Sequence, residues 1–405
     1  MLVMAQPLPR LRMNLDFMPS PIEDRPGLLI RDNFNYSDAV LVIPPALVQC
    51  LQCFDGERTE LDLRQMLVEI TGQLDVSLVA RHLTETLSTA GFLEDEVFQG
   101  LKDARHKEFG EAPVREATHA GSAYPDEAGA LRTTFQQYMA NAQPAMDGNL
   151  IGIAAPHVSP FGGWESYRAA YSALSPQHAD RTFIILGTSH YGPGEKFGLT
   201  RKPFVTPYGA ARTDLGIVEQ LAAEPAAAME DYCHAVEHSI EFQVVFLQHL
   251  YGPDVKIVPI LCGSFHRSIE AGDLPDDNEK VRSFLGRLGE IGARHQHNLT
   301  WVLGIDMAHM GRRYGDPFTA IADEGHMLAV EGRDQQRIDR VNGNDSKGFW
   351  ELIQQNEDDL KWCGSAPLYT FLKAVPQARG TLRRYQQWNI DEQSIVSFAG
   401  MAFTA

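Results

Sequence analysis

Four stretches of this chain are too apolar and too short to be anything but buried strands. They are LIGIAAP (150–156), TFIILGTS (182–189), VKIVPILCG (255–263) and WVLGIDMA (301–308). A strand with one wet face alternates polar and apolar residues; these do not, so both of their faces are covered, as in parallel sheets flanked by helices. Helical patterns such as DLGIVEQLAAEP and IEFQVVFLQHLYG fall between them. The stretch 115–405 therefore reads as one α/β domain.

Three of these runs end alike: a histidine follows within a few small residues, at His157, His190 and His309. In an open α/β sheet the ligand crevice lies outside the carboxyl ends of the strands, so three strands reaching one edge would deliver three imidazoles to one place. A single histidine after a strand is usually a structural residue, but three in the same position argue for a shared site. Histidines so gathered hold a divalent metal or move protons. CHAVEHSIEFQ adds Glu237, His238 and Glu241 just before an amphipathic helix. His234 and His238 would share a face if that helix starts early, although the spacing is not that of an H-E-x-x-H zinc motif. In KWCGSAP, Cys363 precedes a small-residue turn and a helix opened by Pro367. A helix start favours the thiolate.

Residues 1–25, rich in Pro and Met, read as a tail; 26–98 as a small helical domain; and the charged stretch 99–114 as a linker. Within the small domain, Leu63, Met66, Leu67 and Ile70 repeat at helical spacing, as do Leu78, Leu83 and Leu87; Thr59 and Ser77 are candidate N-caps and Gly72 and Gly91 candidate stops. Cys50-x-x-Cys53 has no second pair nearby and reads as core. GSFHRSIEAGDLPDDNE (263–279) reads as an acidic surface loop. A formal charge of −18, from 53 acids against 35 bases, argues against a nucleic-acid or membrane-surface role. Five cysteines, an odd and scattered set, fit a reducing compartment, and no apolar run has the length to span a bilayer. A cytoplasmic location is expected.

The motifs resemble those of the MEMO family, also called AmmeMemoRadiSam system protein B. THAGSAYP (118–125), APH (155–157), LGTSHYG (186–192), EHSIEFQ (237–243), DMAHMGRRYGD (306–316) and CG (363–364) follow in the family's order over about 290 residues. The resemblance implies an α/β sandwich like that of class III extradiol dioxygenases. It implies His157, His190 and Cys363 as metal ligands, His309 with Asp306 as catalytic acid/base, and Ser189, Glu237, His238 and Glu241 as supporting or pocket residues. Iron(II) is the implied metal, with copper or zinc as alternatives, and the implied activity is a metal-dependent, dioxygenase-like oxidoreductase acting on a small molecule or peptide. The implied partners are an AMMECR-type protein and a radical SAM protein. A non-catalytic metal- or peptide-binding protein retaining the pocket is the alternative, and a thiol hydrolase using Cys363 with His309 a third reading. The family's Ala-Gly-Tyr after the first histidine is replaced here by Val158, Ser159 and Pro160, and its early tryptophan by Ala123, so a changed pocket wall is expected. F-D-G-x-R-T and A-G-F-L in the small domain resemble PqqD-like winged-helix domains, which bind peptides.

Overall fold

The computed structural model describes residues 6–22, 24–142, 145–146 and 149–405. The first five residues of the expected tail lie outside that set. The chain divides into two compact units, one ending at Glu111 and one running from Ala112 to Ala405.

The small unit has a three-stranded antiparallel sheet, Asp16–Pro19, Leu28–Arg31 and Val40–Ile43, in that order. Helices Glu60–Thr71 and Ser77–Thr89 pack Leu63, Leu67, Ala80, Leu83 and Leu87 against Ile30, Cys50, Cys53 and Phe92. Thr59 and Asp62 form a capping box at the start of the first helix, and Gly72 ends it in the left-handed conformation. Ser77 is the first helical residue of the second helix, with Val76 in the cap position. Both cysteines are free and fully buried.

Two boundaries differ from the sequence reading. The expected tail is part of this unit: Leu8 and Leu15 enter the core, and the buried Arg12 pairs with Asp32 at 2.9 Å. A buried guanidinium needs such a partner. The expected linker is largely the 16-residue helix Glu96–Glu111. Phe98 lies 4.1 Å under the Arg12 guanidinium and Phe109 is buried, so the charges of this segment mark the wet face of a packed helix.

In the large unit the four apolar runs form adjacent parallel strands in the order Leu150–Ala155, Leu299–Gly304, Thr182–Thr188, Lys256–Cys262. Antiparallel strands Ser394–Thr404 and Arg379–Asp391 extend the sheet beyond Leu150–Ala155. Short strands Phe197–Leu199 and Ala227–Met229 extend the other side. The result is a large mixed sheet. Alternate residues feed two cores: Ile184, Leu186, Val258 and Ile260 face one, Phe183, Ile185, Ile257 and Leu261 the other. Helices cover both faces, which is why the runs show no alternation.

The expected acidic loop contains a short helix, His266–Ala271, and a turn at Pro275–Asp277 whose Asp276 binds Lys373 at 2.7 Å. No helix among the described residues is long and apolar enough to cross a membrane.

Candidate metal centre

The strand Leu299–Gly304 lies between Leu150–Ala155 and Thr182–Thr188. Residues following its carboxyl end therefore stand between the loops that carry His157 and His190. Close packing there depends on missing side chains. A Cβ on Gly304 would sit 2.2 Å from the Ser239 carbonyl, and one on Gly364 2.5 Å from the Asp306 carbonyl. These glycines let the Glu237–Ser239 turn and the Cys363 turn close over the strand ends.

Cys363 precedes the helix Ser365–Ala374. Its carbonyl accepts from Thr188 Oγ1 at 3.1 Å, and Gly364 N donates to the Asp306 carbonyl at 3.0 Å. The chain leading into it holds Asn356, Glu357, Asp358 and Lys361 at φ of 53–57°. A non-glycine residue in that region costs roughly 1–2 kcal/mol. Asp358 offsets part of this by accepting from Trp362 N at 3.1 and 3.2 Å.

Ligand atoms of His157, His190 and Cys363 lie within 4.8 Å of one another. His157 Nδ1 meets the Gly304 carbonyl at 3.0 Å, and His190 Nδ1 meets both oxygens of Glu237 at 3.1 Å. The Nδ1–H of each ring is thereby used, and Nε2 is left to bind. His157 Nε2 stands 3.4 Å from Cys363 Sγ. Metal bonds of ~2.0–2.1 Å to imidazole and ~2.3 Å to thiolate, at a tetrahedral angle, put N and S roughly 3.5 Å apart. The residues thus fit a metal ion.

The electrostatics agree. Burial pushes the Cys363 thiol up, but the His157 and His309 rings, with hydrogen bonds from His157 and His190, bring its pKa well below the ordinary thiol value. Burial works against charge on His157, yet Asp306 and Cys363 push its pKa up to about 9. The Cys363 thiolate and the His157 ring favour each other's charged forms, and a thiolate so held is ready to meet a cation.

Asp306 accepts from His157 N at 2.9 Å, and its Oδ2 is 3.4 Å from His157 Nε2. His309 directs Nδ1 at the carbonyls of Met307 (3.0 Å) and Lys361 (3.1 Å), with Tyr314 edge-on at 4.9 Å. Burial lowers the His309 pKa, but Cys363 and Asp306 raise it further, so it lies above the ordinary value. His238 stacks on His190 at 5.1 Å and faces His157 edge-on at 5.2 Å. Burial and the neighbouring rings hold it neutral. Glu237 is the hub. It accepts from the backbone N of His190, His238 and Ser239, and from His190 Nδ1. Despite burial, these bonds and the two rings keep its pKa well below the ordinary carboxylate value. Glu237→Gln would turn an N–H toward His190 Nδ1. Losing such an outer partner costs about 10–100-fold in metal affinity, which a chelator competition titration would read.

Two candidates, Glu241 and His234, stand elsewhere, while Ser189 lines the cavity beside His190 and Cys363. Glu241 points away from the ligands, fully buried, and binds Arg115, Tyr124 Oη and His119 N. It anchors the THAGSAYP loop. Ser189 Oγ accepts from Gly192 N at 3.2 Å and shapes the loop after His190. His234 and His238 share no helix, because Cys233–Val236 ends before Glu237, whose backbone is extended; His234 Nε2 binds the Gly198 carbonyl instead. Sequence reasoning missed Trp362 and Thr188, which fix Cys363.

A cavity of about 380 Å³ reaches His190 and Cys363, walled by Ser264, His266, Asp358, Lys361 and Trp362. A second, of about 500 Å³, is lined by Ala123, Tyr124, Phe135, Tyr138, Ser159 and Phe161, where the absent tryptophan and the altered loop after His157 were expected to change the wall. Pro160 opens the helix Pro160–Tyr171, and Trp388 fills the space beside Gly162. A cavity of about 510 Å³ around Ile151, Leu299 and Trp301 is at the opposite, amino ends of the strands and touches none of these groups.

The model of the Memo-like protein family matches residues 115–402. A MEMO1 family protein of Aquifex aeolicus is 27% identical over 387 residues, covering 93% of this chain and 95% of its own, so the match takes in most of the small unit too. One from Pyrococcus furiosus is 30% identical over 259 residues (62% of this chain, 83% of its own), and one from Thermococcus kodakarensis 28% over 303 (72% and 99%). Six ordered motifs, a site assembled from five of them and a match spanning the large unit agree: this chain belongs to the MEMO1 family.

Proposed function

We propose that the protein is a metal-dependent oxidoreductase with a mononuclear His157–His190–Cys363 centre, iron(II) or copper, acting on a small molecule or peptide. The observation that carries the reading is the 3.4 Å approach of His157 Nε2 to Cys363 Sγ, with both histidines held through Nδ1. Two imidazoles and one thiolate leave coordination positions open, and such a metal would supply one-electron or oxygen chemistry there. His309, with Nδ1 fixed by two carbonyls, offers Nε2 to take a proton from a substrate hydroxyl or thiol, a role worth ~10²–10⁴-fold in rate. Asp306 holds the His157 backbone in place. Val158, next to His157, packs with Phe398 and with Val396, the strand partner of His309, in a buried apolar cluster.

By family analogy the protein would work in an AmmeMemoRadiSam-type modification system, beside an AMMECR-type and a radical SAM protein, with the small unit as its peptide-binding part. Purified without oxygen, the protein is expected to hold iron or copper stoichiometrically and to consume oxygen when iron(II) is restored. His190→Ala should abolish both. A metal-free wild type indistinguishable from His190→Ala would end this reading.

A further inference from the structure

A buried carboxylate outside the ligand set ties its parts together. Asp334 lies in the helix His326–Asn342, in a segment whose charges would otherwise mark a wet face, and it is fully buried. Its oxygens take three hydrogen bonds: Trp362 Nε1 to Oδ1 at 2.7 Å, and Tyr385 Oη at 2.8 Å and Ser397 Oγ at 2.6 Å to Oδ2. The Arg337 guanidinium donates through Nη1 to the Arg333 carbonyl and through Nη2 to the Leu352 carbonyl rather than to Asp334.

Two of these bonds lead to the metal centre. Trp362 immediately precedes Cys363, and its indole is 1% exposed. Ser397 Oγ accepts from Ala308 N at 2.8 Å, while the Ser397 backbone bonds Met307 N and Ala308 O at 2.8 and 2.9 Å. Ser397 thus grips the two residues between Asp306 and His309. One carboxylate therefore joins the segment carrying the thiolate to the segment carrying Asp306 and His309. Burying a carboxylate with no bonded cation is costly, and an apolar residue would fill the same space more cheaply.

The geometry points to Asp334 as a positioning residue of the metal centre, one that sets the place of Cys363 relative to His157 and His309. This rests on the His157–His190–Cys363 reading. Partners that orient ligands in this way are worth about 10–100-fold in metal affinity.

Cobalt(II) is the probe, because a thiolate ligand gives it a sulfur-to-metal absorption band. Asp334→Ala is expected to weaken cobalt(II) binding by about 10–100-fold and to shift or weaken that band. Trp362→Phe and Ser397→Ala each cut one branch and should each reproduce part of the loss. Asp334→Asn keeps an oxygen for the indole and should restore part of the affinity. Tyr385→Phe removes the donor that leads nowhere near the ligands; it should leave affinity within twofold even if it lowers thermal stability. The idea fails if Asp334→Ala lowers the melting temperature but leaves affinity and band intact. It fails equally if Tyr385→Phe matches Asp334→Ala. A wild type lacking the band altogether would overturn the metal reading. Asp334 is then judged by the rate at which iodoacetamide alkylates Cys363 in metal-free protein, read on the Cys363 peptide: a several-fold change supports its role and no change ends it.

Discussion

Cys363→Ser is expected to remove metal binding almost completely, by more than the ~10–100-fold that loss of an outer partner costs. Serine is only slightly smaller than cysteine, so the turn at Gly364 and the helix Ser365–Ala374 should persist. What goes is the anion. The thiol is held well below its ordinary pKa by His157 and His309 against the effect of burial, whereas a serine hydroxyl stays protonated and is a poor soft-metal ligand. Cys363→Asp adds a sharper comparison. A carboxylate in that place makes the two-histidine, one-carboxylate set that suits iron(II), while copper(I) prefers sulfur. The aspartate variant should therefore regain iron(II) and not copper(I). Competition against a chromophoric chelator under nitrogen measures both, and Cys363→Ser binding as tightly as wild type would remove the cysteine from the ligand set.

Arg115→Met should lower the stability of the large unit by about 3–5 kcal/mol, because it leaves Glu241 as an unpaired buried charge. Both side chains are wholly inaccessible to solvent. Arg115 also donates to the carbonyls of His234 (2.7 Å), Glu116 (2.8 Å) and Glu237 (2.8 Å), so four links break together. The double change Arg115→Met with Glu241→Met should cost less than the single one, since it removes the stranded carboxylate. All five tryptophans lie in this unit, so their fluorescence in a urea titration reports its unfolding. A single variant within 1 kcal/mol of wild type would mean that the carboxylate finds another partner or a proton.

Much of the site could be read before the fold was seen, and the reason is local. Leu150–Ala155, Thr182–Thr188 and Leu299–Gly304 are buried on both faces, so their lack of alternation marks them, and the small residues at their ends mark where the chain must pass close to a neighbour. Hence His157, His190 and His309 could be placed at one edge, and Asp306 entered with the family motif that carries His309. Glu241 was out of reach of such reasoning. Its sequence neighbours suggested a pocket residue, but its role is fixed by Arg115, 126 positions earlier. Asp334 sits among Arg and Gln in a helix that reads as solvated; only its packing beneath Ser397 and Trp362 buries it. The N-terminal segment escaped for another reason. Leu8, Arg12 and Leu15 reach the small core from extended chain held by isolated bridges such as Leu11 to Leu93, which leave no period to detect.

The separation of His157 and Cys363 in the chain, 206 residues, has a thermodynamic consequence. An ion held by both would close a loop spanning half the protein, and an unfolded chain would have to give up that closure entropy to form it. Ligand loading then becomes folding free energy: at a free-ion concentration one hundred times the dissociation constant the native state gains about 2.7 kcal/mol. Resistance to heat would track metal supply, and a chelator would act on this protein as a mild denaturant.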